Sequence, residues 1–296
     1  MRKFLILSIF FLMYSLSFAT QNTGVLHVVS SFSILADVVK NIGGNKVIVT
    51  SIVGANQDAH EYELKPSDLI EINQSKILFI NGLGLEAGWI TGVKGTYKGD
   101  LVVASTGVKP LLTKNDSNKI KQDPHVWNDP MNVVNYYVPN ILHALISLSP
   151  ENKTYFTQNA QVYINKLIAL NKWANTQFAV IPVVKRKAVT THDAFNYFAH
   201  AYNINFIAVQ GVSTDSDASA KDIADLEKVI KSNKASVVFL ENMTNNKLIK
   251  QIALDTKAQI GGELYSDALS LPTQPANTYI NMMKYNVNTL IKVWSK

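Results

Sequence analysis

The stretch from Ser149-Pro150 to Pro182 limits this chain's fold more than any other feature. Serine is a good helix cap, and proline fits the first helical position because its missing N–H would have had no partner there. Pro182 then breaks the helix. Between these points Phe156, Ala160, Tyr163, Leu167, Leu170, Ala174 and Phe178 recur every three or four residues. That spacing lines one face of an α-helix. About 29 residues rising 1.5 Å each reach about 44 Å. A helix of that length can run along two ordinary lobes, and if it packs on both it resists a wide hinge motion.

Short β-branched or apolar runs lie on either side of this segment. They cover 25–29, 47–53, 77–80 and 101–104 before it, and 188–191, 205–209, 236–240 and 259–264 after it. Helical patterns such as 219–232 and 246–256 separate the later runs. Alternation of strand and helix predicts parallel sheets covered by helices. A chain of 296 residues also exceeds what one hydrophobic core usually serves. The expected fold is therefore α/β, with two similar lobes, each a parallel sheet covered by helices, joined by one long rigid helix. The expected boundaries are a leader at 1–19, a first lobe at 20–145, the linking helix at 146–182 and a second lobe at 183–296.

Composition removes several classes of function. Apolar residues make up 47% and charged residues 17%, too much core and too little charge for a disordered chain. The formal charge of +6 falls to +4 if Arg2 and Lys3 leave with the leader. The run Lys185-Arg186-Lys187 has no interleaved aromatics, so nucleic acid is not the expected partner. Without a single cysteine the chain has no disulfide, zinc-thiolate site, cysteine nucleophile or thioether-linked lipid. The leader itself has a basic tip (Arg2, Lys3), an apolar run at 4–16 and a small-residue exit at Ser17-Phe18-Ala19. That is the layout of a cleavable signal peptide cut after Ala19. An apolar run of about 13 residues is short of the roughly 20 that span a bilayer. Export without lipidation points to the periplasm.

Three of the six histidines stand in polar, turn-rich surroundings just beyond a predicted strand or loop, where ligands collect in α/β folds. His60 lies in Gly54-Ala55-Asn56-Gln57-Asp58-Ala59-His60-Glu61-Tyr62, and His125 between the prolines of Asp123-Pro124-His125-Val126-Trp127-Asn128-Asp129-Pro130. His192 lies in Thr191-His192-Asp193-Ala194-Phe195, and Asp267 occupies a matching position in Tyr265-Ser266-Asp267-Ala268. Three imidazoles with one carboxylate suit zinc or another divalent transition metal. Two candidates fall in each lobe, so a metal would sit in the cleft. Each histidine singly is also readable as a hydrogen-bonded loop or core residue. His27, inside a strand, and His143 and His200, within helical patterns, are expected to pack or face solvent.

Longer motifs bear on this choice. Asp58-Ala59-His60-Glu61-Tyr62-Glu63 with Pro66-Ser67-Asp68, Asn81-Gly82-Leu83-Gly84-Leu85-Glu86, and Asp123-Pro124-His125-Val126-Trp127 occur in that order. Thr191-His192-Asp193-Ala194-Phe195, Gln210-Gly211-Val212-Ser213-Thr214 and Leu264-Tyr265-Ser266-Asp267-Ala268-Leu269-Ser270 follow. Together they resemble the zinc and manganese substrate-binding proteins of ABC transporters, over nearly the whole chain beyond the leader. The resemblance implies a metal held between two lobes and delivered to a membrane permease, with no enzyme activity and a monomeric state. It places the ligands on His60, His125, His192 and Asp267. One departure is Ala59, where the family often has proline, which removes a backbone constraint and no ligand.

In this family the third ligand is commonly histidine in zinc carriers and glutamate in manganese carriers, so His192 points to Zn2+ as cargo, with Mn2+ the alternative. The stretch 113–122 points the other way, because it lacks the histidine-rich acidic loop common in zinc carriers. Proton competition for imidazole is expected to weaken binding as pH drops through about 6.5. A zinc hydrolase, an exported carrier of iron chelates and an adhesin are the rival readings. His60-Glu61 is not followed by the second histidine of the helical zinc-protease motif, and a closed four-ligand cage leaves no position for a substrate.

Overall fold

A computed structural model describes residues 24–114, 120–215, 218–233 and 237–296. The leader at 1–19, most of the charged stretch after Lys114, and Ser236 lie outside the described residues. The first half contains strands β1 (Leu26–Phe32), β2 (Val47–Val53), β3 (Ile77–Ile80) and β4 (Asp100–Val103), with helices α1 (Ser33–Gly43), α2 (Pro66–Gln74) and α3 (Ile90–Lys94) between them. A small antiparallel pair follows, β5 (Leu112–Lys114) with β6 (Ile120–Gln122). The strand runs expected from the sequence do not include this pair.

Helices α4 (Pro130–Asn132) and α5 (Val138–Leu148) are joined by a wide π turn, Val133–Tyr137. Pro139 explains the widening, since its ring would clash with the carbonyl four residues back and it has no N–H to offer. The long helix α6 runs from Lys153 to Ala179, 27 residues. The second half holds β7 (Lys187–His192), α7 (Asn196–Tyr202), β8 (Asn205–Gln210), α8 (Ala220–Asn233), β9 (Val237–Glu241), α9 (Lys247–Thr256), β10 (Gln259–Leu264) and α10 (Tyr279–Trp294).

All pairs within the two main sheets are parallel, in the orders β2-β1-β3-β4 and β10-β9-β7-β8. Numbered from its own first strand, each sheet reads 2-1-3-4, so the halves share one topology. The strand order reverses between the first and third strand of each sheet. In such sheets ligands bind beyond the carboxyl ends of the strands at that reversal. In the second sheet these are the ends of β7 and β9, where His192 and Glu241 stand.

The buried stripe of α6 is Phe156, Ala160, Tyr163, Leu167, Leu170, Ala174 and Phe178, the residues its periodicity predicts. It packs on α1 and α5 of the first half and on α7 and α10 of the second. One continuous apolar core therefore includes Val28 and Phe79 of the first sheet and Phe239 and Leu264 of the second. A smaller cluster around Val189, Leu226, Val238 and Ile249 fills the space under α8 and α9. Among the described residues no helix is long and apolar enough to cross a membrane.

Candidate metal centre

Each of the four predicted site residues is positioned by a different local device. His192 is the last residue of β7, one place further into the strand than the sequence suggests, and pairs in register with Gln210. Asp267 lies just past β10 in a segment fixed from behind by α10: Asn286 accepts the Tyr265 N–H (2.9 Å) and donates to the Tyr265 carbonyl (2.7 Å). His125 follows Pro124, whose carbonyl accepts from the Asn81 side chain (2.9 Å). Asn81 belongs to a tight loop closed by buried Glu86, which accepts the N–H groups of Asn81 (2.7 Å) and Gly82 (3.0 Å). Gly82 is required there, with φ at +85° and space for a Cβ only 2.5 Å from Val103. His60 sits in the loop after β2, where Asp58 accepts its N–H at 2.8 Å.

The structure brings these four side chains to one point. One donor atom from each lies within 4.8 Å of all the others. The Nε2 atoms of His60 and His125 are 3.2 Å apart. Asp267 Oδ2 lies 3.0 Å from His192 Nε2 and 3.3 Å from His60 Nε2, and Asp267 Oδ1 lies 3.5 Å from His125 Nε2. His125, His192 and Asp267 are fully buried, while His60 keeps 8% of its surface. A cavity of about 330 Å³ reaches the site on that side, lined by His60, Leu83, Gly84, Pro124, Val212 and Ser213.

Two further carboxylates stand behind the rings. Asp123 Oδ1 is 2.8 Å from His125 Nδ1 and also accepts the His125 N–H (2.9 Å). Glu241 Oε2 is 2.7 Å from His192 Nδ1, while its Oε1 accepts the N–H groups of Thr191 (2.9 Å) and His192 (3.0 Å). A carboxylate on Nδ1 holds the proton there and turns the Nε2 lone pair toward the cluster, which orients and strengthens a metal ligand. Asp123 falls inside a motif read from sequence, but its role does not. Nothing marked Glu241, although its place at the end of the strand beside β7 is the signal that finds it.

Electrostatics follow from this crowding. Burial disfavours a charged His125 ring, yet the charges of Asp267 and Asp123 overcome it and push the group up to about 9. His192 is likewise opposed by burial and raised well above the ordinary value by Glu241 and Asp267. Asp267, which burial would raise, is held well below the carboxylate range by His125 and His192. The negative charge that draws protons to these rings would also draw a metal cation, so protons and metal compete for the same nitrogens.

The remaining histidines stand elsewhere. His27 is on β1, its Nε2 3.1 Å from Thr50 Oγ1, and His143 and His200 are exposed on α5 and α7.

Residues 28–293 match the family described as "Zinc-uptake complex component A periplasmic" (ZnuA). The chain is 35% identical to the metal ABC transporter substrate-binding lipoprotein SloC of Streptococcus mutans, over 90% of this chain and 89% of that protein. It is 32% identical to the manganese ABC transporter substrate-binding lipoprotein PsaA of Streptococcus anginosus, over 92% and 90%. Among solved structures, the periplasmic zinc binding protein TroA from Treponema pallidum superposes with a TM-score of 0.85 at 30% identity, covering 92% of this chain and all of that one. With this fold, and with a match over almost its whole length, the chain belongs to the ZnuA family, whose members are substrate-binding proteins of metal transport and not enzymes.

Proposed function

We propose that this protein captures a divalent transition metal, zinc first, in a cage of His60, His125, His192 and Asp267, and hands it to an ABC permease for import. The observation that carries this reading is the convergence of three Nε2 atoms on one buried carboxylate, with two of the rings backed by carboxylates. Four donors of this kind suit a tetrahedral zinc ion. Manganese prefers more oxygen ligands and binds most weakly in the divalent series. The relatives named for manganese support a second reading, in which the same cage carries manganese or both metals.

In this account the lobes at 20–145 and 183–296 are the jaws, and the segment 146–182 is the strut that keeps them near their working positions. Little ordering cost then remains on binding, and a nanomolar dissociation constant, about −12 kcal/mol, is within reach. The protein acts as a monomer in the periplasm. Its relatives are named lipoproteins, but a thioether-linked lipid needs a cysteine and the 296 residues contain none.

Calorimetric titration of the chelator-stripped protein tests the metal. Zinc is expected to bind one per chain at least a hundredfold more tightly than manganese, and His192→Ala to lose that binding. Tighter manganese binding would transfer the reading to manganese. Absence of tight binding by either ion would end it.

A further inference from the structure

The three imidazoles are not supported alike. His125 and His192 each have a buried carboxylate of their own lobe on Nδ1. Among the described residues His60 has no such partner, and its loop, 54–60, belongs to no helix or strand. The loop is held instead by the other lobe. Asp58 accepts the His60 N–H through Oδ1 (2.8 Å) and the Thr214 hydroxyl through Oδ2 (2.8 Å). The Asn242 amide, just past β9, donates to Asn56 Oδ1 (3.0 Å) and to the Ala268 carbonyl (3.2 Å). The Asn56 N–H donates to the Leu269 carbonyl (2.9 Å), and the Leu269 N–H returns to Ser33 Oγ of the first lobe (3.0 Å). Ala268 and Leu269 directly follow Asp267, so these bonds stitch the segments carrying His60 and Asp267 together.

We infer that Asn56, Asp58, Thr214 and Asn242 form a clasp across the cleft that holds His60 in place only while the lobes are together. Parting the lobes breaks the bonds of Asp58 to Thr214, of Asn56 to Asn242 and Leu269, and of Leu269 to Ser33 at once. His125 and His192 keep their carboxylates, which move with them, whereas His60 loses Asp267 and its loop support and keeps only His125 beside it. The ligand that lines the entrance cavity is then the first to leave the metal. The four residues touch no metal in this account: they are positioning residues for capture and release. The inference rests on the proposed metal cage.

The test combines Thr214→Val with Asn242→Ala, neither of which alters a ligand or its carboxylate partner. In the metal-free variant, amide exchange across 54–61 is expected to quicken at least tenfold, with 123–128 and β7 unchanged. Zinc dissociation into excess chelator is expected to quicken about 25-fold, about fivefold for each of the two hydrogen bonds to the 54–60 loop that are lost, with the association rate unchanged. Thr214→Ser should return the single-site effect to within twofold of wild type. Unchanged exchange, or faster exchange with an unchanged zinc off-rate, overturns the clasp while wild-type zinc binding still stands. If wild type binds neither zinc nor manganese, the cage itself fails and the clasp's role falls with it.

Discussion

Replacing Glu241 by glutamine isolates what a carboxylate behind a ligand does. Glutamine keeps the volume of the buried side chain and keeps an oxygen for the Thr191 and His192 N–H groups, 2.9 and 3.0 Å away. Its NH₂ group then takes the place of the oxygen 2.7 Å from His192 Nδ1. A donor at that distance faces a ring nitrogen that can no longer carry a proton. With the charge of Glu241 gone the ring gives up its Nδ1 proton and keeps the one on Nε2, the atom 3.0 Å from Asp267 that must face the metal. Binding then requires the tautomer to revert against two opposed donors. Losing such an outer partner typically weakens metal affinity ten- to a hundredfold, about 1.4–2.7 kcal/mol. The zinc dissociation constant at pH 7.5, measured by competition with a chromophoric chelator, should rise by that factor while the far-ultraviolet circular dichroism stays that of wild type. A constant within twofold of wild type in a folded variant would refute the argument that Glu241 sets the tautomer of His192.

Other outcomes follow from the same geometry. His125 is raised from 6.5 unfolded to about 9 in the metal-free fold. Its contribution is fully present below about pH 6.5 and is lost as pH climbs through about 9, roughly 3 kcal/mol in all. The urea midpoint of stripped protein should therefore fall between pH 6 and pH 9.5, and zinc affinity should go on rising up to about pH 9, well above the 6.5 of free imidazole. Phe178 is 1% exposed and meets the rings of Phe198, Tyr202 and Trp294. Phe178→Ala should cost about 3–5 kcal/mol in denaturant unfolding, because it empties the junction of α6 with α7 and α10. Arg186 donates to the carbonyls of Phe178, Ile181 and Tyr202, tying the end of α6 to the second lobe. Arg186→Met should cost about 2 kcal/mol by the same measurement.

The fold was legible wherever one side of an element meets the core. The stripe from Phe156 to Phe178 has the helical period because every member is buried. The strand runs are apolar because parallel sheets are covered on both faces. The pair Leu112–Lys114 and Ile120–Gln122 was not legible, because it carries no apolar face: Leu112 and Ile120 are 64% and 67% exposed. The π turn before Pro139 likewise leaves no pattern in hydropathy. At the site, the residues that converge could be chosen from residue type and from their place after strands or, for His125, in a loop fixed by two prolines. Their supports could not. Glu241 reads as an ordinary strand-end glutamate until the order of β7 beside β9 is known. Asn56, Asp58, Thr214 and Asn242 are ordinary loop residues until the two lobes are set against each other.

The claim that matters most is that one ion sits among these four side chains. The direct measurement is a crystal of zinc-loaded protein, with anomalous differences collected on both sides of the zinc absorption edge. One strong peak per chain is expected, about 2.0–2.2 Å from the Nε2 atoms of His60, His125 and His192 and from a carboxylate oxygen of Asp267. A fully loaded protein whose peak lies elsewhere, or whose ion lacks any of these four ligands, would contradict it.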